Sequence, residues 1–194
     1  MEQGSDAEVQ AGQVLAGKFR VERVLGRGGM GMTVLATHLQ LDELVALKFL
    51  LPEALAHDEA VRRFERVARA AVKIKSEHVA RVTDVGVLPS GSPYMVMEYL
   101  RGMDLAQYHE QNGPLSYEEA TSYLLPAMEA IAEAHALGIV PRDLKPGNLF
   151  RVIRPDGEPS IKVLDFGISK ITVGDHSMTR TSSMMGSPYY MSPE

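Results

Sequence analysis

Four side chains in a short span carry the chemistry that this sequence offers. Asp143, Lys145 and Asn148 lie in the run Val140-Pro141-Arg142-Asp143-Leu144-Lys145-Pro146-Gly147-Asn148, and Asp165 follows in Asp165-Phe166-Gly167. A carboxylate such as Asp143 orients an attacking hydroxyl and accepts its proton. Lys145, two positions on, falls on the same side of an extended loop and balances charge on a migrating phosphoryl group. Asn148 and Asp165 provide hard oxygen ligands of the kind Mg²⁺ prefers. The set suits phosphoryl transfer.

Such residues need a scaffold, and 194 residues with 45% hydrophobic content can bury a core within one domain. The formal net charge of −5 argues against nucleic acid as a partner and against a basic membrane-surface patch. With no cysteine there is no disulfide framework, no thiol nucleophile and no cysteine metal site. The acidic, polar start is unlike a signal peptide. No apolar run reaches bilayer length, since the run over 44–51 is broken by Lys48 and stopped by Pro52. The expectation is a cytoplasmic protein with no membrane segment.

Along the chain, residues 1–18 read as a mobile tail rich in Gly, Gln and Asp. Phe19, Val21, Val24 and Leu25 then mark a strand, followed by the turn Gly26-Arg27-Gly28-Gly29-Met30-Gly31 and a second strand through Thr33-Val34-Leu35-Ala36. Glycines let a backbone approach phosphate oxygens with its N–H groups turned toward them, although a tight hairpin with no ligand is the plainer reading of such a turn. A strand after the turn, where a dinucleotide fold requires a helix, disfavours that fold. Residues 43–51 form a third strand in which Lys48 stands alone among apolar neighbours; its plain reading is a strand lysine with its stem along apolar surface. Asp58 reads as a helix cap, and Val61, Phe64, Val67, Ala68, Ala71 and Ile74 recur at helical spacing. Two more strands flank Pro89-Ser90-Gly91, and a short helix covers about 103–111. Ser116-Tyr117-Glu118-Glu119 is a capping box opening a long helix to about 137, with Leu124, Ala127, Ile131, Ala134 and His135 on one stripe and a bend at Pro126. His135 is expected in the apolar core. A hairpin over 149–164 delivers Asp165 opposite Asn148.

In this order the features resemble a protein kinase. The resemblance is carried by the glycine-rich turn, Ala46-Leu47-Lys48, Met97-Glu98-Tyr99-Leu100, Arg142-Asp143-Leu144-Lys145-Pro146 with Asn148, Asp165-Phe166-Gly167 and the closing Gly186-Ser187-Pro188 to Ser192-Pro193-Glu194. The Lys-Pro pair is similar to the serine/threonine branch. The Gly-Arg-Gly-Gly-Met-Gly turn and the Ala134-His135 to Gly138-Ile139-Val140 run resemble the bacterial eukaryotic-like (Hanks-type) serine/threonine kinases. The resemblance covers about 19–194 and implies an α+β, two-lobed fold. Residues 19–97 would form a small lobe of antiparallel sheet plus one helix, and 98–194 a partial, incomplete helical large lobe with the hinge, catalytic loop and activation loop. It implies ATP and Mg²⁺ as cofactors and a protein substrate with a Ser or Thr acceptor. Asp143 and Lys145 would then be catalytic. Gly26, Gly28, Gly31, Lys48, the backbone of Glu98 and Leu100, and Asp104 at the ribose would hold ATP, while Asn148 and Asp165 would hold the metal. Thr179 and Thr181 match loop phosphorylation sites, with Arg142 to grip the phosphate. Ser187 stands where that branch has a hydroxyl touching the catalytic acid and lysine.

Three departures accompany the resemblance. Val67 stands where the family has a helix glutamate paired with the strand lysine, and Glu65 lies roughly 200° around the helix from it. Lys48 is thus expected to be deprived of a partner, at up to ~3–5 kcal/mol. Pro141 replaces a histidine that bonds the backbone beneath Phe166, so Phe166 and Asp165 are expected to be less firmly fixed. The family continues past Glu194 into several large-lobe helices; the long helix and catalytic loop are expected to expose an apolar patch for a protein partner to cover. These features frame the alternative of a pseudokinase-like or truncated fragment that binds nucleotide or a partner.

Overall fold

Strict alternation along β4 (Glu43–Leu50) organises the small lobe. Val45, Leu47 and Phe49 point into one apolar cluster, and the residues between them take the opposite face. The computed structural model describes residues 9–28, 31–141, 143–164 and 188–190. Within them β4 is central to a six-stranded antiparallel sheet of order β1 (Val14–Leu15), β2 (Phe19–Arg27), β3 (Gly31–His38), β4, β6 (Pro93–Glu98), β5 (Val82–Val87). One face gathers Phe19, Val21, Val34, Leu47, Tyr94 and Val96. The other carries Leu50, Val82 and Met95 against Phe64, Ala68 and Ala71 of helix α2 (Asp58–Ala71). A short α1 (Pro52–Leu55), begun by its proline, precedes α2.

Two irregularities in β2 decide what reaches the cleft. The register with β3 shifts between Val21 and Arg23 and again between Val24 and Gly26. Each extra residue reverses the strand's alternation. Arg23, Leu25 and Gly26 therefore line the cleft, whereas Phe19 and Val21 enter the core.

The second half packs α4 (Tyr117–Ala136) on a three-stranded antiparallel sheet of β7 (Gly102–Asp104), β8 (Leu149–Ile153) and β9 (Pro159–Val163). Tyr123, Ala127, Ala130 and Ala134 meet Leu149, Ile161 and Val163. α3 (Leu105–Asn112) leads from β7 toward α4. At Gly102 an added Cβ would lie 2.0 Å from the Arg151 carbonyl oxygen, so β7 can approach β8 only with glycine there. The halves are stitched by the segment after α2. Val163 donates its N–H to the His78 carbonyl at 2.8 Å, Ala80 to that of Val163 at 3.1 Å, and Lys75 to the Glu133 carboxylate at 2.6 Å.

Several expectations are corrected. Part of the expected tail belongs to the sheet: Val14 and Leu15 pair with Arg20 and Phe19, and Leu15 is buried. Asp58 is the first residue of α2 and not its cap; His57 holds the cap position without a side-chain bond. The capping box of α4 is present, with Ser116 accepting from the Glu119 N–H and Glu119 from the Ser116 N–H. The buried stripe of α4, however, runs through Tyr123, Ala127, Ala130 and Ala134. Leu124 is exposed and so is His135, which is no core histidine. Here Ala127, Ala130 and Ala134 let the helix sit close to β9, while Leu124, Leu125 and Met128 face out.

Candidate active site

A cleft of about 470 Å³ runs between the lobes, within the range of small-molecule sites. Leu25, Gly26 and Thr33 form its roof, Glu98, Tyr99 and Leu100 its outer edge, and Gly147, Asn148 and Phe150 its floor. Its inner end is apolar, with Val67, Ala71, Val82, Met95, Met97 and Leu164. Of the residues read from sequence, it brings together Gly26, Glu98, Leu100, Asp104 and Asn148.

Gly28, Gly31, Lys48, Asp143 and Lys145 are not among the residues that line the cleft. Lys48, 6% exposed, lies on β4 directly between Thr33 of β3 and Met95 of β6, both of which line the cleft. Lys48 is not without a partner, contrary to the expectation drawn from Val67. Gly28 closes its turn by donating to the Gly31 carbonyl at 2.9 Å. Gly31 does not line the cleft; a Cβ there would lie 2.9 Å from the Phe49 carbonyl oxygen, and this close pairing of β3 with β4 is what requires glycine.

In the candidate catalytic loop Asp143 is 6% exposed, and Lys145 Nζ lies 3.0 Å from its Oδ2. Asn148 donates its side-chain N–H to the Asp143 carbonyl oxygen, and its backbone N–H goes to the Lys145 carbonyl at 2.9 Å. Leu164, next to Asp165 in sequence, donates to the Asn148 carbonyl at 2.8 Å, which joins the floor to the end of β9. The amide of Asn148 thus spends its nitrogen within the loop and keeps its oxygen as a hard ligand. That fits Mg²⁺, which takes one or two protein oxygens and completes its shell with phosphates and water. Among the described residues no group of three or more His, Asp or Glu forms a metal cage of its own. Arg142, Asp165, Phe166, Gly167, Thr179, Thr181 and Ser187 lie outside the described residues.

Two expected nucleotide residues also serve the scaffold. Asp104 caps α3, its Oδ1 accepting from the Ala106 and Gln107 N–H groups at 2.9 Å each. The Glu98 carboxylate accepts from the Arg81 N–H and from Lys162 Nζ, both at 2.8 Å. Lys162 does not stand out in the sequence reading. Its signal is nonetheless there, since a lysine between Ile161 and Val163 stands alone in an apolar strand as Lys48 does. Arg23, which lines the cleft and lies 3.5 Å from the Tyr99 hydroxyl, gives no such signal because the bulge that turns it inward is invisible in sequence.

The comparisons with known proteins agree with this architecture. The family model described as "Protein kinase domain" matches residues 19–194. The chain is 37% identical over 192 residues to the serine/threonine-protein kinase pkn3 of Myxococcus xanthus, covering 97% of this chain and 35% of that protein. It is 38% identical over 183 residues to the serine/threonine-protein kinase PrkC of Bacillus subtilis, covering 94% of this chain and 27% of that one. It therefore spans about a quarter to a third of the length of these curated relatives. Among solved structures, the PknI kinase domain of Mycobacterium tuberculosis superposes with a TM-score of 0.72 at 31% identity, over 84% of this chain and 64% of that one. The two-lobed α+β fold, the cleft and the match over 19–194 together make this chain a member of the protein kinase domain family.

Proposed function

We propose that this chain binds ATP with Mg²⁺ in the interlobe cleft and passes the γ-phosphoryl group to a serine or threonine hydroxyl of a protein. The observation that carries the reading is the buried Asp143 carboxylate, paired with Lys145 at 3.0 Å, in a loop whose Asp143 backbone carbonyl accepts from Asn148, a residue of the cleft floor. A carboxylate so placed accepts a proton from an incoming hydroxyl, and the adjacent ammonium offsets charge as the phosphoryl group moves. The adenine edge would lie against backbone groups of Glu98 and Leu100, with the ribose near Asp104. Lys48 and the glycine turn would take the phosphates. Asn148 and Asp165 would hold Mg²⁺, which supplies charge neutralisation on the phosphate oxygens. Catalysis is then positioning plus fixed electrostatics. Thr179 and Thr181 would be phosphorylation sites, with Arg142 to receive the phosphate. The printed names of the pkn3 and PrkC relatives support the serine/threonine class.

The test is transfer from γ-labelled ATP to a basic test protein. Asp143→Asn keeps the shape and loses the base, and is expected to lower the rate by about 10²–10⁴-fold. Equal rates for the two chains would sink the catalytic reading. Nucleotide binding without transfer by the unaltered chain would favour the alternative of a nucleotide-binding relative.

A further inference from the structure

We propose that Val67 is a positioning residue: an apolar joint that seats α2 on both lobes at once and helps set where the helix stands over the cleft. Among the described residues, Val67 alone packs against both the cluster of Phe64, Ala68 and Met95 and the cluster of Val79 and Val163. From α2 only Val67 and Ala71 line the cleft, and both are apolar. The acids of the helix lie elsewhere. Asp58 and Glu59 sit exposed in its first turn, and Glu65 pairs with Arg69 at 2.9 Å. A carboxylate at position 67 would be set between two apolar clusters, where a charge is costly to bury. The joint also has a mechanical consequence. Val163 ends β9 two residues before Asp165, so movement of α2 is felt where the candidate metal-binding segment begins.

The test uses the whole 194-residue chain and the variants Val67→Ile, Val67→Thr, Val67→Gln and Val67→Glu. Amide hydrogen exchange is read across α2, across residues 78–82 and in β9, with the first half of α4 as a check on folding. Val67→Ile keeps the joint apolar and is expected to hold protection to within about twofold. Val67→Thr has the same shape but a hydroxyl, and is expected to speed exchange about five- to tenfold in α2 and in 78–82 together. Val67→Glu is expected to exchange faster than Val67→Gln at neutral pH, with the difference closing in acid as the carboxyl protonates. Protection of α2 in Val67→Glu equal to or above that of the unaltered chain would overturn the joint in favour of an ion pair. So would a Val67→Thr effect confined to α2. Should Val67→Glu fail to fold, the Ile and Thr variants still decide. Affinity for ATP with Mg²⁺ is measured alongside, and this arm rests on the proposed nucleotide reading. Absence of binding by the unaltered chain would defeat that reading, while the exchange rates would still decide whether Val67 is the joint.

Discussion

A lone lysine in an apolar strand is a demand for a partner, and this chain makes that demand twice. Lys48 is legible through its place after the glycine turn. Lys162 is not, because its partner Glu98 lies 64 residues away and only the fold brings them together. Their side chains are 20% and 26% exposed and meet at 2.8 Å. Solvent screens such a pair only in part, while desolvation takes back some of the gain. A double-mutant cycle of Lys162→Met and Glu98→Gln, followed by urea unfolding, is expected to show a coupling of about 0.5–2 kcal/mol. Glu98→Gln should be the milder single change, because an amide oxygen can still accept from the Arg81 N–H. A coupling indistinguishable from zero would mean that the pair is incidental to the junction of the lobes. Asp143, Lys145 and Asn148 are legible for a simpler reason: they sit close in sequence, so their meeting needs little from the rest of the molecule.

Elements whose signals are local are readable in the same way. The alternation of β4 and the capping box of α4 depend on neighbours within a few residues. The bulges of β2 do not show, because a register shift is settled by the partner strand. The first of them leaves Glu22 unpaired in the ladder and beside Thr37, whose hydroxyl donates to its carboxylate at 2.6 Å. This bond, and then one from Arg20 at 3.2 Å, holds the Glu22 carboxyl below a glutamate's ordinary value. A pKa depressed by folding stabilises the fold above the unfolded-state pKa, and the contribution is lost as pH falls through the folded-state value. Thr37→Val removes the larger cause. It is expected to destabilise the sheet at neutral pH, with the deficit shrinking below a pH of about 4 as Glu22 protonates in both chains. Denaturant midpoints at the two pH values check it; a deficit of constant size would assign the effect to packing of the nearly buried Thr37 side chain instead.

At the scale of the molecule, α4 has two apolar faces, and among the described residues only one of them is covered. Its small residues Ala127, Ala130 and Ala134 face β9, while Leu124, Leu125 and Met128, within a turn of one another, are 48%, 56% and 62% exposed. Helical spacing alone marks the element as apolar. It finds Ala127 and Ala134 but wrongly adds Leu124 and His135 to their stripe, because size complementarity with β9 decides that, and that partner is remote in sequence. The two faces should therefore respond oppositely to substitution. Leu125→Glu with Met128→Lys is expected to leave unfolding free energy within about 0.5 kcal/mol, as surface changes do, while reducing binding of a hydrophobic dye to the folded chain. Ala130→Leu, at a fully buried position, is expected to cost about 1–3 kcal/mol through overpacking. Urea titrations and dye fluorescence on the three proteins separate these outcomes. A marked destabilisation by the double variant would show that the leucine and methionine face is packed in solution, and the assignment of the two stripes would have to be reversed.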